Sequence, residues 1–212
     1  MYPLTELPKT YRRQSTFNLS QNKLVLLSLS VLAAILLCAS IWCLTNLIPF
    51  LRPNSAALLI PENIFTVLPQ GGWRMTIPST WVVGAVLATP LVIVIHEAIH
   101  GLFFWLLTGK FSHFGFKGLL VYTATPRGVY LRRNQYLIVG LSPLVILSFI
   151  GVLLLLFLPV NALATLICFI SFNISGSVGD IAVSVWILQK PANALIEDKG
   201  TSLIVYKLAD IP

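Results

Sequence analysis

Charge is scarce in this chain. Of 212 residues only 10% are charged, while 57% are hydrophobic. A water-soluble domain carries about 25% charged residues. So little polar surface cannot wrap a globule in water, and the bilayer is the expected solvent. Acidic residues are scarcest: seven, against 14 Lys and Arg, for a formal net charge of +7. A basic balance can signal nucleic acid. Here the basic residues sit between apolar segments, with no basic amphipathic element studded with aromatics. Nucleic acid is therefore set aside, and the positive charge is read as orienting the chain against anionic lipid. Cysteine is rare as well. Cys38, Cys43 and Cys168 lie in apolar segments and form no CxxC pair. That argues for plain packing over a disulfide framework or a thiolate metal site. No internal repeat or low-complexity tract occurs, so one compact bundle is expected.

Long apolar runs are what the chain has in plenty. Four are long enough to cross roughly 30 Å of hydrocarbon: 24–50, 81–107, 137–158 and 162–188. The expected fold is an all-α polytopic membrane protein with about four transmembrane helices. A head (1–23) and a tail (189–212) flank this membrane domain (24–188). The first run is too long for a signal-peptide core, so it reads as an uncleaved span. Placing the head, the 108–136 loop and the tail on one side gathers 12 of the 14 basic residues there. The positive-inside rule then puts both termini in the cytoplasm, with the protein in the cytoplasmic membrane.

The loops differ in character. Residues 52–80 hold four prolines and the Gly71–Gly72 pair, which predicts an outer cap without long helices. Residues 115–133 read GFKGLLVYTATPRGVYLRR. A β-prone run, a Pro-Arg-Gly turn signal and a second β-prone run predict a short β-hairpin at the cytoplasmic face.

Five of the seven acidic residues fall in head, loop or tail. The other two, Glu97 and Asp180, fall inside spans. A charge near the bilayer centre costs roughly 2.5–3.5 kcal/mol on insertion scales, so such a residue is a functional-site candidate by default. Two of the chain's three histidines flank Glu97, as His96-Glu97-Ala98-Ile99-His100. Residues i and i+4 of a helix lie about 40° apart, one turn above the other. Both imidazoles can therefore reach one ion, with Glu97 beside it to deprotonate water. This is the HExxH pattern of zinc hydrolases.

Catalytic zinc takes three protein ligands and leaves a fourth position open. The extended metzincin pattern requires Gly and His where Phe103 and Leu106 stand, so that class is excluded. Asp180 is the favoured third ligand. It lies eight residues before the end of the fourth run, and His100 lies seven before the end of the second; both runs end on the same side, so the two lie at one depth. His113 is the competing ligand, although a solvated loop histidine is its ordinary reading. Asn173, seven residues before Asp180 and on its helical face, is a candidate to bind a developing oxyanion, or else interhelical glue. Gly176 and Gly179 predict close approach of another helix. Glu197 and Asp198, in EDKG, read as a solvated turn of the tail. Pro90, six residues before His96, reads as a proline tolerated inside a membrane helix.

HEAIHG within a span, followed two spans later by Asn173 and Gly179-Asp180, resembles the site-2 protease clan of intramembrane metallopeptidases. It is more similar still to a bacterial family described as “putative zincin peptidases”. The resemblance covers roughly 80–205. It implies zinc held by His96, His100 and Asp180, with Glu97 activating water. It further implies a catalytic core of spans two to four and a strand near the site that pairs with substrate. The implied function is cleavage of a peptide bond within or next to a membrane segment, with a membrane protein or peptide as substrate. The rival reading of the same residues is a metal-binding membrane scaffold without catalysis.

Overall fold

A computed structural model describes residues 3–18, 22–53, 65–117, 120–200 and 202–209. The chain opens with strand β1 (Tyr11–Phe17), followed by helix α1 (Lys23–Leu51). Asn22 caps α1, its side-chain oxygen accepting from Leu24 N and Val25 N at 3.0 and 3.3 Å, which satisfies donors the first turn leaves open. A small hairpin, β2 (Phe65–Val67) and β3 (Trp73–Met75), precedes helix α2 (Ser79–Thr108). That agrees with a loop without long helices, although its residues 54–64 lie outside the described set. Helix α2 runs unbroken through Pro90 and ends on Gly109, whose φ of 68° is the left-handed cap glycine adopts freely.

Strands β4 (His113–Lys117) and β5 (Leu120–Ala124) follow, then β6 (Leu131–Arg132) and helix α3 (Arg133–Leu154). Helices α4 (Val160–Gly176) and α5 (Val178–Leu188) and strands β7 (Leu195–Asp198) and β8 (Leu203–Leu208) complete the chain. By length and composition, α1, α2, α3 and the α4–α5 pair could each cross a membrane. Their outer faces carry large apolar side chains such as Leu27, Trp42, Val86, Val94 and Phe149.

The fourth run is not one continuous helix. Ser177 interrupts it, its hydroxyl donating to Asn173 O at 2.7 Å beside its own backbone N–H at 3.0 Å. A serine bonding back to the preceding turn bends a helix. The break places Asp180 in the first turn of α5, where the helix dipole favours a carboxylate. Close helix approach occurs elsewhere than expected. A Cβ on Gly84 would meet the Thr165 backbone at 3.0 Å, and one on Gly151 would meet Ile170 at 2.5 Å. Gly176 faces open space instead, because it lines a cavity.

Strands are more plentiful than one hairpin. β1, β8, β7 and β6 form an antiparallel sheet in that order, which sews the head to the tail. Phe17 at the end of β1 stacks on Trp186 of α5 with ring centroids 4.8 Å apart. A buried cluster that includes Phe104, Val139, Ile187, Ile196 and Val205 joins this sheet to α2, α3 and α5. The expected hairpin exists but with different bounds. β5 pairs back onto β4, with Phe114 opposite Thr123 and Gly115 opposite Tyr122. Residues 118–119 between them lie outside the described residues. The Pro-Arg-Gly segment does not close this hairpin. Thr125 instead bonds Asp198 O through its backbone N–H, at 3.2 Å, and its hydroxyl, at 2.7 Å. The chain is captured by the tail and enters the larger sheet, where Leu131 pairs with Ile196. Asp198 is accordingly buried, which corrects the reading of EDKG as a solvated turn.

Candidate metal centre

The i, i+4 spacing on α2 sets the two imidazoles edge to face, with ring centroids 4.9 Å apart. Each ring is oriented through Nδ1. His100 Nδ1 lies 3.0 Å from Val139 O, and His96 Nδ1 lies 3.0 Å from Asn173 Oδ1. Both partners are acceptors, so Nδ1 is the protonated nitrogen of each neutral ring and Nε2 carries the free lone pair. Those two Nε2 atoms face one carboxylate. His96 Nε2 is 3.1 Å from Asp180 Oδ2, and His100 Nε2 is 3.6 Å from Asp180 Oδ1.

Acceptors here confront acceptors, an arrangement that repels unless a cation or protons lie among them. Two ligand atoms each 2.0–2.1 Å from a tetrahedral ion stand about 3.3 Å apart, a value the two observed separations bracket. All three donor atoms lie within 4.8 Å of one another. Two imidazole nitrogens and one carboxylate oxygen are donor types that zinc takes. The residues therefore fit a divalent cation.

Glu97 stands outside this trio. Its Oε2 accepts from the hydroxyl of Thr123 on β5 at 2.7 Å, and the same hydroxyl lies 3.1 Å from Glu97 O. The carboxylate is thereby held by the hairpin, outside the ligand set but lining the cavity beside it. That cavity, of about 620 Å³, is bounded by Glu97, His100, Asp180, Tyr136 and Asp198, with apolar walls from Leu26 and Leu29 of α1, Phe104 and Val121. Among the described residues, Glu97, Asp180 and Asp198 line it and no lysine or arginine does.

Asn173 follows the second of its two readings, as a residue that bonds across helices. It is 1% exposed, and its amide has no donor to spare. Nδ2 donates to Pro143 O at 3.3 Å and Ser148 Oγ at 3.2 Å, while Oδ1 holds His96. An oxyanion donor needs a free N–H aimed into the cavity, so the geometry makes Asn173 the residue that fixes the His96 tautomer. Such partners behind metal ligands tune affinity. His113 lies apart from the trio, exposed on β4 opposite Ala124. Glu197 is taken up by the Tyr206 hydroxyl at 2.9 Å and Lys199 at 3.7 Å. All three cysteines are free thiols.

Three residues of the site had no signal in the sequence. Thr123 is an ordinary β-strand threonine, Tyr136 an aromatic at a span entrance, and Asp198 one of three acids in the tail. Tyr136 donates its hydroxyl to Asp198 Oδ2, and Gly200 N donates to Asp198 Oδ1 at 2.7 Å. Burial pushes the Asp198 carboxyl up to about 6, with the charge of Asp180 adding to it and the bonds from Tyr136 and Gly200 opposing.

No match was found among curated proteins or among solved structures. Residues 90–195 match the family model described as “Putative zincin peptidase”, a stretch that holds both histidines, Glu97, Thr123, Tyr136, Asn173 and Asp180, and the chain belongs to that family.

Proposed function

We propose that the protein is a membrane-embedded zinc metallopeptidase that hydrolyses a peptide bond within or next to a membrane segment. The observation that carries this reading is the convergence of two oriented Nε2 lone pairs on the Asp180 carboxylate, with a second carboxylate, Glu97, held beside them. His96, His100 and Asp180 would hold the ion. When bound, zinc supplies Lewis acidity that polarises a carbonyl and acidifies water.

Glu97 takes the proton from the attacking water and passes it to the departing amine. Its Thr123 bond leaves Oε1 as the free oxygen for that exchange. The apolar walls of the cavity suit an apolar segment. Among the described residues strand β5 is paired on one side only, by β4, so its other edge can receive an extended substrate backbone. The basic head, 108–136 loop and tail support a cytoplasmic-membrane setting with both termini inside.

The test begins with metal content. Full-length protein purified in detergent without chelators should carry about one zinc per chain. Asp180→Ala should lose it, and Glu97→Gln should keep it while abolishing chelator-sensitive cleavage of a co-expressed membrane substrate. A wild type free of metal would sink the reading. Zinc without any such cleavage would point to the metal-binding scaffold.

A further inference from the structure

The reaction proposed above needs a hydrogen-bond donor for the carbonyl oxygen on which negative charge develops, and Asn173 is spent on His96. Few cavity-lining side chains can replace it. The Thr123 hydroxyl is given to Glu97, and Ser175 and Ser30 bond carbonyls of their own helices. Tyr122 neighbours Thr123 on β5 and so points to the opposite face of the strand, its ring against Gly115 and Gly200. Tyr136 remains. It lines the same cavity as Glu97, His100 and Asp180, and lies one helical turn before Val139, whose carbonyl orients His100.

We propose that Tyr136 is a further catalytic residue, its phenol donating to the substrate carbonyl oxygen, and that Asp198 on the tail strand is the positioning residue that frees and aims it. This rests on the peptidase reading. The argument is one of proton count. With one proton between them, the phenol donates to Asp198 Oδ2 and has nothing left for substrate. With two, the carboxylic acid donates to the phenol oxygen, and the phenol O–H is free to turn into the cavity. The second state is accessible because Asp198 is buried against Tyr136 and Gly200, and burial pushes its carboxyl up to about 6. The groups around Asp198 are Tyr136 from α3, His100 and Glu97 from α2, Asp180 from α5, and Glu197 and Lys199 on its own segment, with His113, Tyr122 and Arg127 bordering it on the far side.

The experiment uses zinc-loaded full-length protein in detergent and an N-phosphoryl-leucyl dipeptide as probe. Its tetrahedral phosphoryl group mimics the transition state, and its affinity is measured by titration calorimetry from pH 5 to 8. Tyr136→Phe should keep its zinc and bind the probe about tenfold or more weakly at pH 5, the scale of one lost donor of this kind. Asp198→Asn carries an amide that donates to the phenol oxygen at every pH. It should therefore bind at pH 8 more tightly than wild type does, an outcome that a merely structural role cannot give. Equal affinity of Tyr136→Phe and wild type would overturn the inference. So would weaker binding of Asp198→Asn at pH 8, or a zinc-loaded wild type that ignores the probe. A wild type without zinc would overturn the peptidase reading itself.

Discussion

The Thr123 hydroxyl lies 2.7 Å from Glu97 Oε2, and this one bond ties the β4–β5 hairpin to the catalytic candidate on α2. A short charge-assisted bond of this kind fixes a rotamer as well as stabilising a charge. A carboxylate that must meet a water at one position gains from being held there.

Thr123→Val keeps the shape and β-branching of the side chain and removes the bond. We expect roughly a tenfold fall in cleavage rate with zinc content unchanged, because Glu97 is freed to rotate but the ligands are untouched. Thr123→Ser should retain most of the rate. The check is a side-by-side measurement of chelator-sensitive cleavage and zinc per chain. Equal rates for Thr123→Val and wild type would remove the positioning role.

Asn173→Ala takes the acceptor from His96 Nδ1 and leaves a gap among Pro143, Ser148 and the ring. The His96 tautomer is then unfixed. Partners behind metal ligands are worth about 10–100-fold in affinity, and we expect a loss of that size in a chelator competition for zinc. An oxyanion role predicts the reverse pattern, with zinc affinity kept and turnover lost.

Most of the helical frame was legible because long apolar runs follow a simple code. Three of the four runs became single helices and the fourth the α4–α5 pair, each long and apolar enough to cross a membrane, and two carboxylates inside them stood out. His96, His100 and Asp180 were legible for the same reason, since helical spacing and depth are local properties. What lay beyond reach depends on contacts between distant parts of the chain. Tyr11 pairs with Leu208 across nearly the whole sequence, and nothing local in either strand announces the other. The hairpin bounds shifted because Thr125 is captured by Asp198, a partner 73 residues away. Asn173 was recognised as special, with an oxyanion role and interhelical glue both left open, because only coordinates reveal that both ends of its amide are engaged.

Gly200 turns the chain between β7 and β8 with φ +77°, and a Cβ there would meet Tyr122 Cδ2 at 2.0 Å. Gly200→Ala forces a left-handed conformation on an L residue, at about 1–2 kcal/mol, and pushes the Tyr122 ring aside. Because Gly200 N also bonds Asp198, the strain reaches the tail carboxylate. A fall of several degrees in the thermal midpoint in detergent is expected. An unchanged midpoint would mean that the turn and Tyr122 relax without cost.

Asp198 should make stability depend on pH in a direction opposite to that of a salt-bridged acid. Burial pushes its carboxyl up to about 6 from an ordinary 3.8. Between those values the folded chain holds a proton that the unfolded chain has released. Stability is therefore full below the unfolded value and is lost as pH rises through the folded one. Two units correspond to at most on the order of 3 kcal/mol. In wild type the thermal midpoint should fall from pH 4 to pH 7. In Asp198→Asn this contribution to the slope should vanish, because no proton is exchanged at that position. Parallel curves for the two proteins would show that the tail carboxylate is already ionised throughout the range, and that its burial is offset by Tyr136 and Gly200 alone.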